Sequence, residues 1–182
     1  METLDKVLNN GITTTEHALR IFDMLEPVSI AFLTGRWKGY GFPTSHPMDG
    51  ILETLGWYGK IFIDDDHVHP LVFYGKGRKE LFALHPGKIS MTFHYPVTRI
   101  LRTLLLVSRP FFQTRKTKAR LRMMEYRGKI TAAMIYDDKP VTDYFGKVDE
   151  ETILGVMDLK SSHQPFFFML RRDDQSVLKL QL

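Results

Sequence analysis

The most constraining feature of this sequence is a long series of short apolar and aromatic runs, cut by turn residues and not alternating with helices. Runs at 35–42, 57–63, 68–74, 80–84, 88–94, 119–126, 129–136, 141–147, 152–159 and 165–172 read as strands, because branched and aromatic side chains suit a pleated, half-buried surface. Asp64-Asp65-Asp66 turns one pair into a hairpin, and Arg127-Gly128 makes a tight turn in another. About ten short strands in series predict an antiparallel β-barrel rather than a doubly wound sheet. Two segments depart from the rhythm. Thr13 and Glu16 form a capping-box pair, and Ala18, Ile21, Phe22 and Leu25 follow at helical spacing as far as Pro27. The helix they predict is expected to plug or cover one end of the barrel. Residues 97–118 hold an apolar block, Ile100 to Val107, set among Arg99, Arg102 and Arg109, which predicts a helical crossover packed on the barrel.

Composition narrows the function classes. The 182 residues fit one domain spanning 1–182, with 43% apolar and 25% charged residues, as in ordinary globular chains. Cysteine is absent, which excludes disulfides and thiolate metal sites. The opening METLDKVLNNG has acids and no apolar core, unlike a signal peptide, and no run approaches the roughly 18 apolar residues of a spanning helix. The cytoplasm is the expected location. Charge is uneven: Arg99 to Lys129 carries +9 while the chain carries +4, leaving −5 elsewhere. Such a window is either a solvated basic face or a contact for an anionic membrane surface, beside the apolar stripe of 97–118. Nucleic acid is not expected, because the window lacks an interleaved aromatic platform.

The sharpest motif is Gly35-Arg36-Trp37-Lys38-Gly39, extended by Gly41 and Pro43. Gly-x-Trp on the first strand after an N-terminal helix resembles the opening of lipocalin-type (calycin-type) barrels, where a large indole fills the converging base. The likeness continues through Thr44-Ser45-His46-Pro47, Gly56-Trp57-Tyr58-Gly59-Lys60 and Val68-His69-Pro70-Leu71, and over 30–96 the chain resembles the GXWXG-domain family. Residues 119–173 resemble its companion domain of unknown function, DUF4334, through Tyr126-Arg127-Gly128, Ala132 to Asp137, Pro140 to Phe145, Leu154 to Asp158 and Phe166 to Arg172. The resemblance implies a lipocalin-like barrel and leaves activity open. Segment 97–118 is its least family-like part, and stays open between a lid, a membrane contact and the interface of a homodimer.

Alternate residues of each strand line a barrel. Trp37, Trp57, Phe62, Phe73, Met91, Phe93, Met123, Met134, Phe145, Met157, Phe166 and Phe168 are the expected lining, and adaptable methionines suit a pliable apolar pocket. Eight strands are just filled by side chains, so about ten are expected to leave a hollow. Burying ten methylenes of a lipid chain would supply about 8 kcal/mol, and immobilisation would reduce that to an affinity near micromolar. The first functional reading is therefore a binding protein for a small hydrophobic ligand such as a fatty acid, lipid or terpenoid, with Lys60 as anchor for a carboxylate.

Two other readings stay open. His46 lies three residues before Asp49. The pair either orients an imidazole for acid–base catalysis on an apolar substrate, assisted by Lys60 or Tyr136, or caps a short helix over 48–55. Asp137, Asp138, Lys139 and Pro140 read as a turn, braced by Asp143. The GxWxGxG of 35–41 also resembles nitrobindin, a haem-binding barrel whose iron ligand is a late histidine; here that residue would be His163, in the turn Ser161-Ser162-His163-Gln164. No cofactor is otherwise expected. His67 and His69 sit two apart and need a distant third ligand to hold a metal. No serine elbow, phosphate-binding glycine loop or zincin motif appears.

Overall fold

The structure, a computed structural model, describes residues 13–89 and 99–181. Its frame is a closed antiparallel ring of eight strands: β2 (Gly35–Gly41), β3 (Trp57–Phe62), β4 (Val68–Tyr74), β7 (Ala119–Tyr126), β8 (Lys129–Tyr136), β9 (Val141–Lys147), β10 (Thr152–Leu159) and β11 (Phe166–Arg172). Going round the wall the order is β4-β3-β2-β11-β10-β9-β8-β7, and β7 returns to β4 through Val68 and Ala119. The fold is thus the expected mainly β barrel, closed with eight strands instead of about ten. β5 (Leu81–Leu84) pairs on the outer edge of β4 and carries β6 (Gln113–Thr114) and β12 (Leu180–Gln181). β1 (Glu26–Pro27) pairs with β9. Residues 86–88 form a 3₁₀ turn, and most of the strand expected at 88–94, with Met91 and Phe93, lies outside the described residues.

Alternation explains two separate cores. Ala132, Met134, Val141, Phe145, Ile153, Met157, Phe166, Phe168 and Leu170 face into the barrel, while Ala133, Tyr144, Leu154, Val156, Phe167 and Met169 face out. The outward set is buried because helix α1 (Thr15–Met24) lays Ala18, Ile21 and Phe22 on it. The N-terminal helix therefore sheathes a side of the barrel and does not plug its end. Its cap is also displaced by one residue, since the Thr14 side chain accepts from the His17 N–H (3.2 Å).

The end is closed by the next segment. Val28 and the one-turn helix α2 (Ile30–Leu33) fold across the barrel base. Thr131 fixes them there, its hydroxyl accepting from Val28 N–H (3.0 Å) and donating to the Phe145 carbonyl (2.7 Å). Trp37 fills the base with its indole N–H on the Leu33 carbonyl (2.7 Å), and the Arg172 guanidinium lies 4.3 Å from its ring centroid. The opposite end is covered by helix α3 (Ile51–Leu55) and helix α4 (Arg99–Phe112), which pack on one another. Segment 97–118 thus holds the expected helix.

Candidate functional site

A cavity of about 260 Å³ opens between the barrel interior and the two covering helices. Its walls include Trp57, Phe73, Met157, Phe166 and Phe168 from the strands, Met48, Ile51, Leu52 and Leu55 from around α3, and Leu101, Leu104, Leu105 and Phe112 from α4. Eight strands alone would be filled by side chains. The volume exists because α3 and α4 stand over the rim and extend the enclosure beyond the barrel.

Five polar residues border this apolar space: Lys60, Tyr136 and Asp143 from β3, β8 and β9, all buried, together with the exposed Lys88 and the half-buried Ser108 of α4. Lys60 reaches the interior through a break in β3. Strict alternation would send Trp57 and Lys60 to opposite faces. The β3–β4 register shifts on both sides of Gly59, and past the bulge Trp57, Lys60 and Phe62 all face inward while Tyr58 and Ile61 pack outside. Gly59 adopts φ +142°, and a side chain there would collide with the Trp37 carbonyl. Gly39, the last residue of the Gly-x-Trp-x-Gly motif, has a different duty: a methyl there would strike the Trp57 ring.

Lys60 is 2% exposed and Asp143 is 0% exposed. Lys60 Nζ lies 2.8 Å from Asp143 Oδ2 and donates to the Pro70 carbonyl (3.2 Å) and to Tyr136 Oη (3.3 Å). The Phe168 ring centroid is 4.8 Å from Nζ. Asp143 thus faces both the Lys60 amine and the Tyr136 hydroxyl, whereas the buried Trp57 indole N–H lacks an acceptor among the described residues. Burial pulls the Lys60 amine down against the pull of Asp143, and pushes the Asp143 carboxyl up against the pull of Lys60. Both shifts favour uncharged forms. Burial, with the Asp143 carboxylate beside it, also holds the Tyr136 hydroxyl well above its ordinary value.

Of the residues expected to line a pocket, Trp57, Lys60, Phe73, Tyr136, Met157, Phe166 and Phe168 meet at the cavity. Trp37, Phe62, Met134 and Phe145 are buried in the packed remainder of the barrel core. Met123 does not belong to the lining: it is 46% exposed, on a stretch of β7 beyond the bridge to β4. His46 sits behind the wall, its ring 5.3 Å from that of Phe166. Its Nδ1 accepts the Met48 N–H (3.0 Å), while Asp49 Oδ2 accepts from Thr44 N–H and His46 N–H (both 2.9 Å). The carboxylate thus braces the loop backbone and does not orient the imidazole, nor does it cap α3, whose N-cap is Gly50. Burial lowers the His46 pKa despite the neighbouring Asp49.

Asp143 is the residue that reading the sequence misplaces. It does not brace the 137–140 turn; it is the lone acid in the inward series Val141, Asp143, Phe145, and that pattern was the available signal. His163 lies exposed on its turn and is not part of the cavity wall, so it offers no axial position for a haem there. His67 is exposed and paired with Asp64 (2.8 Å) while His69 is buried, and among the described residues no cluster suits a metal ion. Five basic side chains of the window pair with carboxylates: Arg109 meets Glu80 (2.5 Å), Lys118 meets Asp138 (3.1 Å), Arg120 meets Asp137 (3.8 Å), Arg122 meets Asp66 (2.8 Å) and Arg127 meets Asp23 (2.6 Å). Outside, α4 exposes Ile100, Val107 and Phe111, and Leu104 at the cavity edge is itself more than half exposed. No described helix is long and apolar enough to cross a membrane.

The family model of the GXWXG protein matches residues 20–77, and that of the domain of unknown function DUF4334 matches 117–172. A crystal structure of a protein from Thermomonospora curvata is 30% identical, with 93% of this chain and 95% of that one covered, at a TM-score of 0.63. The chain belongs to the GXWXG family, with DUF4334 as its second half. No curated protein matches it. Within this GXWXG protein the first matched part supplies Trp57 and Lys60, and the second supplies Tyr136 and Asp143. The polar cluster therefore forms only when the two parts close one barrel. Helix α4 lies between the matched parts.

Proposed function

We propose that this GXWXG protein binds a small hydrophobic molecule with an uncharged polar head, held in the cavity beneath α4. The observation that carries the reading is a pocket walled by apolar side chains with Lys60, Asp143 and Tyr136 at its interior. Ligand sites commonly combine an apolar wall with a few fixed polar groups. The volume lies just below the ~300–1,000 Å³ usual for drug-sized ligands, which favours terpenoid-sized or medium-chain compounds.

Charge selects the head group. Lys60 and Asp143 together are neutral, whether as an ion pair or as amine and acid. A ligand carboxylate entering the interior would add an uncompensated buried charge, at heavy desolvation cost. A hydroxyl or carbonyl adds none. A hydroxyl can donate to a remaining lone pair of Asp143 and accept from the Trp57 indole, whose N–H has no acceptor among the described residues. The carboxylate-anchor role for Lys60 is thus replaced by shared recognition of a neutral head.

Decanol and decanoate at equal concentration test this, read by calorimetry and by fluorescence of Trp57, with Trp57→Phe assigning the signal. Decanol is expected to bind near the micromolar range, since each buried methylene contributes about 0.8 kcal/mol before immobilisation costs. Stronger binding of decanoate, or binding of neither, would overturn the proposal.

A further inference from the structure

The cavity also holds the parts needed for covalent capture of a carbonyl compound. We propose that Lys60 Nζ forms a reversible imine with an apolar aldehyde seated in the cavity, with Asp143 as proton carrier and Tyr136 and Trp57 as donors to the carbonyl oxygen. The inference rests on the cavity-binding reading above and names the substrate class it would select.

A lysine nucleophile needs a desolvated amine, a nearby acid–base group and donors for the oxygen on which charge develops. Lys60 lies in the cavity wall and is almost fully removed from solvent. Asp143 Oδ2 stands 2.8 Å from Nζ, and Tyr136 Oη stands 3.3 Å from it. The Trp57 ring lies beside Nζ, its centroid 5.8 Å away, and its buried N–H has no acceptor among the described residues. Here the amine, the carboxylate and the Tyr136 hydroxyl border one apolar cavity that can admit a guest, and the Trp57 indole N–H in its wall is left without an acceptor among the described residues.

The step balances without any further reagent. With the pair as amine and carboxylic acid, the nitrogen lone pair attacks the aldehyde carbon, forming the C–N bond. The carbonyl oxygen, held by Tyr136 and Trp57, takes up the proton released from nitrogen and becomes a hydroxyl. The Asp143 proton then passes to that hydroxyl, the C–O bond breaks and one water leaves. What remains is a protonated imine on Lys60 opposite the Asp143 carboxylate, so the buried ion pair is regenerated with the ligand attached. Hydrolysis reverses each step.

The test is reductive trapping on the intact protein. Decanal is added with sodium cyanoborohydride, which reduces the protonated imine and spares the free aldehyde, and the product is read by intact mass and peptide mapping. One alkyl adduct is expected, on Lys60, at decanal levels that leave exposed lysines unmodified. Lys60→Arg, which keeps the charge without a nucleophilic amine, is expected to lose the adduct. Should that variant fold poorly, protection of the unaltered protein by excess decanol serves in its place, and the adduct is expected to vanish. Decanol binding with no adduct on Lys60, or with labelling confined to exposed lysines, overturns the imine while leaving cavity binding intact. If neither decanol nor decanal binds, the cavity reading fails and the imine with it.

Discussion

The two ends of this barrel are built from similar residues and reach opposite outcomes. At the base, Trp37 is clamped by Leu33 and Arg172, and Phe62 meets Phe145 edge to face, with centroids 5.8 Å apart. At the other end the aromatic wall continues through Trp57, Phe73 and Phe166, yet it surrounds the cavity and the buried Lys60–Asp143 pair. What differs is the cover. Val28 and α2 are tied into the barrel by backbone and Thr131 hydrogen bonds, while α3 and α4 lay apolar side chains over the rim. Helix α4 is held there by Arg109 on Glu80, Arg102 on the Leu55 and Gly75 carbonyls and the His85 N–H on the Phe112 carbonyl. A cover that enters the bore fills it; a cover that spans the rim encloses a chamber.

The sharpest way to break that contrast is to cut a side chain at each end. Phe145→Ala should cost about 3–5 kcal/mol, seen as a large fall in the denaturant midpoint, because the base cannot collapse onto the void. Leu105→Ala in α4 should cost far less, since it borders space that is already open. Equal losses would mean that the rim is as tightly packed as the base. Added volume reverses the pattern. Leu121→Phe in the packed core should cost about 1–3 kcal/mol through overpacking. Leu52→Phe beside the cavity should leave stability nearly unchanged and weaken decanol binding roughly tenfold, the equivalent of about 1.4 kcal/mol.

Acid should loosen the cavity end first. The pKa of His46 is lowered by burial, and its Nδ1 must stay unprotonated to accept the Met48 N–H. His69 is lowered by burial too. With both folded values below the unfolded value of about 6.5, the unfolded chain binds more protons, so stability is full above that value and declines as pH falls through the folded ones. Melting temperature should therefore drop from about pH 7.5 to 5.5, and His46→Asn, which retains an acceptor, should flatten the slope. The smallest effect belongs to the base. Arg172→Lys should cost about 0.5–1 kcal/mol, measured by denaturant titration, as stacking over Trp37 and the bonds to the Phe32 and Thr34 carbonyls weaken.

Much of the barrel was legible because strands announce themselves locally. The runs at 119–126, 129–136, 141–147 and 152–159 coincide with β7 to β10. The ring size was less legible, because β5 has strand-like composition yet hangs outside the closed wall. For the site, the aromatic wall was readable from alternation, but the polar cluster was not. Period-two reasoning separates Trp57 from Lys60, and only the bulge at Gly59, a tertiary feature of the β3–β4 pairing, brings them together. Asp143 and Lys60 are 83 positions apart, so nothing local to either reveals the other. The same distance hides the charge balance of the basic window, whose partners Asp23, Asp66 and Glu80 come from the first half of the chain.

The position of α4 along the chain has a consequence for how such a protein can diversify. The stretch between the two family-matched parts forms one side of the chamber but contributes none of the eight staves. Mutation there can reshape the guest's surroundings without touching the register by which the ring folds. Grafting residues 99–112 from one relative onto another should thus transfer guest preference separately from heat resistance, so that selection could tune the one while sparing the other.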